Sequence, residues 1–220
     1  FTFDGSAITP CSARVTGDGG LDEDVAVSYS DNVNAGEVMV SAEWPGSANH
    51  GSSAASTTFV IGKASTVTVV SCPSEVVYSG EAQEPCSASV SGAGLAADVP
   101  VSYVDNVDVG TASATATYPE SANHLGSSTT VTLAITPRTV DGAFTARNKV
   151  YDATTDAEVD EVALTGAVDG EVHVVAVDGA AFDSPNVGPW TVNARLRLVG
   201  ARASNYALSS TSASTTSTTN

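Results

Sequence analysis

An all-β chain of three small β-sandwich modules in tandem is what the 220 residues predict, and three observations carry that expectation. The first is a long internal repeat. Residues 3–61 and 78–135 are two copies of one unit: FDGSAITPCSARVTG against YSGEAQEPCSASVSG, VAVSYSDNVNAG against VPVSYVDNVDVG, and WPGSANH against YPESANH. The spacing is about 74–75 residues, long enough for one small supersecondary unit per copy. The second is composition. Val, Thr, Ser, Ala and Gly dominate while Leu, Met, Lys and Arg are scarce, which disfavours helices and suits short strands. The third is local pattern: short segments alternate small or polar with apolar residues, the period of a half-buried strand, and turn chemistry separates them.

Taken in order, the first unit has strands around SARVTG and VAVSY, a DNVNAG turn at 31–36, and a closing strand STTFVI. The second repeats this plan with VTVVSC, SASVSG, VPVSY, ASATATY and VTLAI, separated by SG, GAG, DN and PESAN. A third, more divergent copy keeps the order of landmarks. KVYDATTDAEV (149–159) stands for YSGEAQEPCSASV, DSPNVG (183–188) for DNVDVG, and ASNYAL (203–208) for the SANH region. Evenly spaced short strands in units this small favour sandwiches over barrels. The 6% aromatic content suits several thin cores better than one large one. The final SSTSASTTSTTN (209–220) lacks apolar residues and is expected to be an unstructured linker.

The ordered landmarks, from [YF]-x-G and Pro through V-S-Y-x-D-N-V-x-x-G and [YW]-x-x-S-A-N-H to G-S-S, resemble the MBG-type repeats of bacterial surface proteins. The third copy, with N-K-V-Y-D-A-T-T-D and later G-A-R-A-S-N-Y-A-L, looks like the related YDG type, with Ala153 in place of that family's glycine. The resemblance implies immunoglobulin-like sandwiches serving as spacers in adhesin-like proteins. The expected organisation is an MBG-like module at 1–63 lacking its N-terminal strand, a second with a disulfide at 64–137, a YDG-like module at 138–208, and the linker at 209–220.

The cysteines support an oxidising compartment. Cys72 and Cys86 flank a turn centred on Tyr78–Glu81, so folding there brings them opposite each other, and a disulfide is expected. Its loop contributes about 3 kcal/mol in the chain-entropy picture. Cys11 repeats the position of Cys86, but the counterpart of Cys72 falls before Phe1. It is therefore expected to be a free thiol, and the chain an excerpt whose signal and anchor lie outside it. Thr145 and Val159 occupy the corresponding places in the third copy, which lacks the bond. Disulfide use points to an extracellular or cell-surface protein.

A net charge of −17 with eight basic residues makes nucleic acid a poor partner, and disfavours anionic membrane surfaces. No run of about 18 apolar residues could form a spanning helix. No catalytic residues are expected: nucleophile elbow, phosphate loop and HExxH motifs are absent. His50 and His124 recur at one repeat position and are assigned to the turn before the last strand; His173 lies in the strand EVHVVAV. The recurring aromatics Phe3, Tyr78 and Tyr151, Tyr29 and Tyr103, and Trp44 and Tyr118 are assigned to cores or corners. Asp31, Asn32, Asp105 and Asp108 put oxygens into tight turns. Asx-turns account for them without a metal, and weak calcium binding is the alternative. No other cofactor is expected. The function that follows is a non-catalytic stalk or spacer of an adhesin-like protein whose partners are neighbouring repeats. The rivals are an adhesin module binding an extracellular glycan or protein, and an accessory domain of a secreted hydrolase.

Overall fold

The computed structural model describes residues 1–168 and 170–220, with the side chains of 176–178 outside the description. It is all-β, and among the described residues no helix is long and apolar enough to cross a membrane. Residues 1–63 contribute β1 (Ala13–Gly17), β2 (Leu21–Val25), β3 (Val27–Tyr29), β4 (Gly36–Trp44) and β5 (Ser53–Ile61). Residues 64–137 contribute β6 (Thr66–Ser71), β7 (Glu75–Val77), β8 (Ser87–Gly92), β9 (Leu95–Asp98), β10 (Val101–Val104), β11 (Gly110–Tyr118) and β12 (Ser127–Thr136). The remainder holds β13 (Arg138–Ala146), β14 (Asp156–Ala157), β15 (Val159–Thr165), β16 (His173–Phe182), β17 (Gly188–Val199), β18 (Tyr206–Leu208) and β19 (Ser212–Thr219).

By compactness the chain divides into two units, Phe1–Ser71 with Cys86–Ser102 and Ala114–Val131, and Cys72–Pro85 with Tyr103–Ser113 and Thr132–Asn220. The expected boundary between residues 63 and 64 lies inside the first unit and that between 137 and 138 inside the second. In the first unit β1 pairs antiparallel with β2, β3–β4–β5 form an antiparallel sheet, and β6–β8–β9 form another. Alternation decides which residues face inward. In β4, Val38 and Val40 are buried together with Ile61 of β5, and Phe3, Ile8, Cys11, Tyr29 and Phe59 pack around them. In β11, Ala114 and Ala116 point inward with no exposure. The intervening Thr115 and Thr117 hydroxyls bond across to Thr130 and Ser128 of β12 at 2.8 and 2.9 Å, a polar ladder on the outer face.

In the second unit β7 lies parallel to the end of β12, with Val76 opposite Ile135. The sheet β15–β13–β18 and the sheet β14–β16–β17–β19 enclose a core of Phe144, Val174, Ala180, Phe182, Val192, Ala194 and Leu196. The expected linker at 209–220 is corrected here. Ser212–Thr219 is a strand, β19, paired antiparallel with β17 over eight residues. The β17 edge offers unpaired backbone groups, and the tail alternates so that Ala213, Thr215, Ser217 and Thr219 turn inward; Ser217 and Thr219 are buried. Small and β-branched side chains suit that face although few are apolar.

The cysteines sit where the register puts them. The β6–β8 pairing ends at Ser71 opposite Ser87. The next residue on each strand is a cysteine, and Cys72 and Cys86 are disulfide-bonded. Cys11 is a free, half-buried thiol. In the third sheet pair a register shift at Thr145/Ala146 sets Thr145 opposite Glu161 and Ala146 opposite Val159.

Candidate functional site: two matching junctions

The acidic turns are occupied by the protein itself. Asn32 bonds Ile8 through both its carbonyl and its side-chain amide, at 2.9 and 3.0 Å, and Asn106 bonds Gln83 in the same way at 2.8 and 2.9 Å. Asp31 and Asp105 hold the left-handed φ values of 52° and 56° that the turn needs, which Asp tolerates better than most residues. Asp31 accepts a hydrogen bond from Asn34 at 3.0 Å. Asp108 is engaged by Arg202 and Asn205. Among the described residues no group of three or more His, Cys, Asp or Glu is placed to hold a metal ion.

These turns instead receive side chains from later in the sequence, and the chain contains two sets of contacts of one design, one within each unit. In the first, the Asn123 side chain inserts into the Asn34–Ala35 turn. Its Oδ1 accepts from the Ala35 N–H at 2.9 Å and its Nδ2 donates to Asn34 Oδ1 at 3.0 Å. The next residue, His124, meets the ring of Phe3 edge-on, with centroids 5.2 Å apart and planes at 78°. Phe3 is itself anchored by its N–H to Gly62 O at 2.8 Å, and Ala64 bridges His124 in parallel. Lys63 pairs with Glu120 and donates to Ser121 O at 2.7 Å.

The second set repeats the asparagine, aromatic and strand contacts but not the Lys63 pair. Asn205 inserts into the Asp108–Val109 turn: the Val109 N–H donates to its Oδ1 at 2.9 Å, and its Nδ2 donates to Asp108 Oδ1 at 2.7 Å. Tyr206 follows and meets Tyr78 edge-on at 5.3 Å and 81°. The Tyr78 N–H donates to Thr136 O at 3.0 Å, and Arg138 pairs with Tyr206 in parallel. Tyr78 is 1% exposed, Asn205 3% and Tyr206 5%. Both tyrosine hydroxyls donate to Glu171 Oε2, that of Tyr78 at 2.8 Å, and Arg202 bonds Asp108 at 2.9 Å and the Tyr78 hydroxyl at 3.2 Å. The Tyr206 and Tyr78 hydroxyls and the nearby Arg202 charge hold the Glu171 carboxyl below its ordinary range against burial and Asp108, which oppose them. Burial, then the bond to Glu171, pushes the Tyr206 phenol up.

Half of a third set is present and open. The Tyr151 N–H donates to Asn220 O at 2.8 Å, and Lys149 bridges Thr219 in parallel, as Thr2 bridges Gly62 and β7 pairs with β12. Its aromatic ring and turn, Tyr151, Asn186 and Val187, face solvent; Tyr151 is 52% and Val187 63% exposed. Of the core or corner assigned to Tyr151, the core is corrected: Tyr78 at the corresponding position is buried against Tyr206, whereas the Tyr151 ring is exposed. Just after it, Ala153 takes φ 63° where Gly5 and Gly80 hold 85° and 87°.

The loop is fixed by Lys149. Its ammonium pairs with Asp152 at 2.7 Å and donates to Thr154 O and Asp156 O. Asp152 also accepts the Thr154 N–H at 2.9 Å. The bond from Lys149, then that from Thr154, brings the Asp152 carboxyl down to about 2. This lysine-pinned Tyr-Asp turn opens a run of strands ending in β19. Residues 136–215 match the YDG domain family. The YDG domain thus takes in the inserting Asn205 and the receiving Tyr151 turn, and its match reaches into β19 beyond the expected boundary at 208. No curated protein and no solved structure matches the chain.

The histidines have local tasks. His50 is held by Ser47 Oγ at 3.3 Å and Asp18 O at 2.8 Å, and His124 by Ser121 Oγ at 3.4 Å and Ala93 O at 2.7 Å. His173 is exposed on β16. The Tyr29 hydroxyl brackets Cys11, accepting its N–H and donating to its carbonyl, both at 2.9 Å. A surface cleft of about 530 Å³ beside the YDG turn carries Asp152, Asp156 and Glu158. Asp152 is paired with Lys149, and Glu158 with Arg147 at 3.5 Å. Asn123, Asn205, Lys149, Glu171 and Arg202 were not singled out from sequence; the recurring Asn in SANH, SANH and ASNY was the available signal.

Proposed function

We propose that the chain is a non-catalytic spacer of an extracellular, adhesin-like stalk, built of three immunoglobulin-like modules in tandem at 1–63, 64–137 and 138–220. The observation that carries this is the duplicated junction: one asparagine and one ring from each following module enter the same turn and aromatic of the module before. A binding or catalytic site needs no such periodic repetition, whereas a fibre needs every joint to be alike. The parallel pairing of entry and exit strands supports the same function. β7 with β12, Thr2 with Gly62, and Lys149 with Thr219 lie side by side, so tension along the chain loads their hydrogen bonds together, in shear. The disulfide suits an oxidising compartment. In the YDG cleft Asp152 is unsuited to serve as a general acid, which needs a raised pKa, because it is held at about 2.

Single-molecule pulling on the full chain tests the proposal. Three separate unfolding events are expected. Reductant should lengthen one of them by roughly 40–45 Å, the 14 residue steps from Cys72 to Cys86 at about 3.3–3.6 Å each, less the about 5–6 Å between bonded cysteines. A single cooperative event, or extension at negligible force, would overturn it.

A further inference from the structure

The YDG domain carries one group of charges that the repeat does not account for. Counting from the glycine that opens each strand, Arg195 of β17 corresponds to Thr117 of β11 and Glu43 of β4. β17 runs 12 residues where β4 and β11 run 9, and the added length brings Arg197. Both arginines are exposed while Ala194 and Leu196 are buried, so both leave the outer face of the sheet β14–β16–β17–β19, about 6.6–6.8 Å apart along the strand. On β16, Val175 lies opposite Arg197 and the exposed His173 diagonal to it. Of the eight Lys and Arg, five pair with carboxylates and Arg138 donates to Gly166 O. Arg195 is engaged within the chain, and its guanidinium has five N–H donors to share. Among the described residues nothing engages the Arg197 guanidinium. We propose that this face binds an acidic polysaccharide, with Arg197 and Arg195 on its acid groups.

Charge complementarity selects the ligand class. A guanidinium grips an acid group through paired, charge-assisted hydrogen bonds, and two guanidiniums one pleat apart suit a polymer whose charges are sparse. Duplex DNA carries a charge every roughly 1.7 Å of axis and would set most of them over the remainder of a chain of net charge −17. Among the described outward residues of β16, β17 and β19 there is no Phe, Tyr or Trp on which bases could stack. A polysaccharide presents hydroxyls between its acid groups, and the rows beyond Arg195 present Asn193 beside Ser214, then Thr191 beside Thr216. Asp183, which accepts from Asn193 at 2.7 Å, and Asp156 mark that far end of the face, so the acid groups of the ligand are confined to the Arg197 end. Screening over about 8 Å at physiological salt keeps the more distant carboxylates from cancelling the local attraction. The face flanks the sheet and uses none of the residues of the duplicated junction, so a spacer can carry it, and binding is read separately from unfolding under force.

The test is a titration of the full chain followed by amide NMR shifts. The probes are hyaluronate, which carries carboxylates, chondroitin sulfate, which adds sulfates, and uncharged dextran. At least one acidic polymer should shift the amides of Arg197, Arg195 and Ser214, and should bind more weakly at about 0.15 M salt than at about 0.05 M. Shifts with both polymers assign the acid group as carboxylate, and shifts with the sulfated one alone as sulfate. Arg197→Gln should lower affinity about fivefold, the loss of one exposed ionic contact. Ser214→Glu, which keeps both arginines but sets a carboxylate near them at an exposed position, should do the same. Arg14→Gln, which removes the same charge from β1, should stay within about twofold of the parent. No shifts with either acidic polymer, equal shifts with dextran, tighter binding of duplex DNA, or an Arg14→Gln loss as large as that of Arg197→Gln would overturn the proposal.

Discussion

Three asparagines occupy one position at three degrees of insertion, and truncating each to alanine should produce a graded loss. Asn205→Ala removes a residue that is 3% exposed and makes two bonds in the junction. Leaving the Val109 N–H unpaired costs about 1–2 kcal/mol, and losing the bond to a charged acceptor about 1 kcal/mol more, at the low end because Asp108 keeps Arg202. The total is about 2–3 kcal/mol. Asn123→Ala loses two neutral bonds at a half-buried site and should cost about 1–1.5 kcal/mol. Asn49→Ala, at an exposed position, should stay within about 0.5 kcal/mol of the parent. Urea unfolding measures the energies, and amide hydrogen exchange locates them: Val109 should lose protection in Asn205→Ala, and Ala35 in Asn123→Ala. Asn205→Asp separates shape from charge. It keeps an acceptor for Val109 but sets a carboxylate against Asp108, and should be no more stable than the alanine variant. Equal losses at all three positions, or unchanged exchange at Val109, would refute the assignment of these residues as junction keys.

Two further outcomes are expected. Because the folded Glu171 carboxyl lies below its ordinary value of 4.5, its contribution is fully present above that value and is lost as pH falls through the folded one. Thermal denaturation of the parent should therefore fall towards that of Glu171→Gln as pH drops from about 6 to about 3, and a gap that widens on acidification would contradict the assignment. At the turn glycines, Gly5→Ala meets open space and only the backbone opposes it, about 1 kcal/mol, whereas Gly80→Ala also brings Cβ to 3.2 Å from Val168 and should lose more. Ala153→Gly should be neutral to about 1 kcal/mol stabilising, since relief of the φ 63° conformation outweighs added chain freedom; a destabilised variant would show that Ala153 is unstrained.

Much of the fold was legible because its signals are local. The alternation of GTASATATY and the SG, GAG and DN turns place β11 and its neighbours directly, and the Cys72–Cys86 disulfide follows from two strands folded about one turn. The tail was not legible by composition. Ser212–Thr219 offers Ala, Thr and Ser to its inner face, and such a strand holds because β17 already presents an edge to it. The junction was hidden for a different reason. Recurrence of Phe3, Tyr78 and Tyr151 looks like recurrence of a core, and sequence alone does not separate a residue repeated to fill a module from one repeated to join it. The exposed Tyr151 beside the buried Tyr78 shows that this aromatic position is not a core position in every copy.

The difference between the two occupied junctions follows from two rings. Phe3 and His124 need nothing further: phenylalanine has no polar atom, and both histidine nitrogens are engaged within the histidine's own loop and its neighbouring strand turn. Tyr78 and Tyr206 put two hydroxyls into a buried contact, where each needs a partner or costs a desolvation penalty of several kcal/mol. Glu171 accepts both. A carboxylate in that position then needs a counter-charge, and Arg202 supplies it at 3.7 Å while extending to Asp108, the same residue that receives Asn205. The polar network of the second junction, which has no counterpart in the first, is therefore the chemical consequence of exchanging a phenylalanine–histidine contact for a tyrosine pair. Glu171 and Arg202 could not have been found by searching for repeats, because they exist to satisfy the two positions at which the repeat changes.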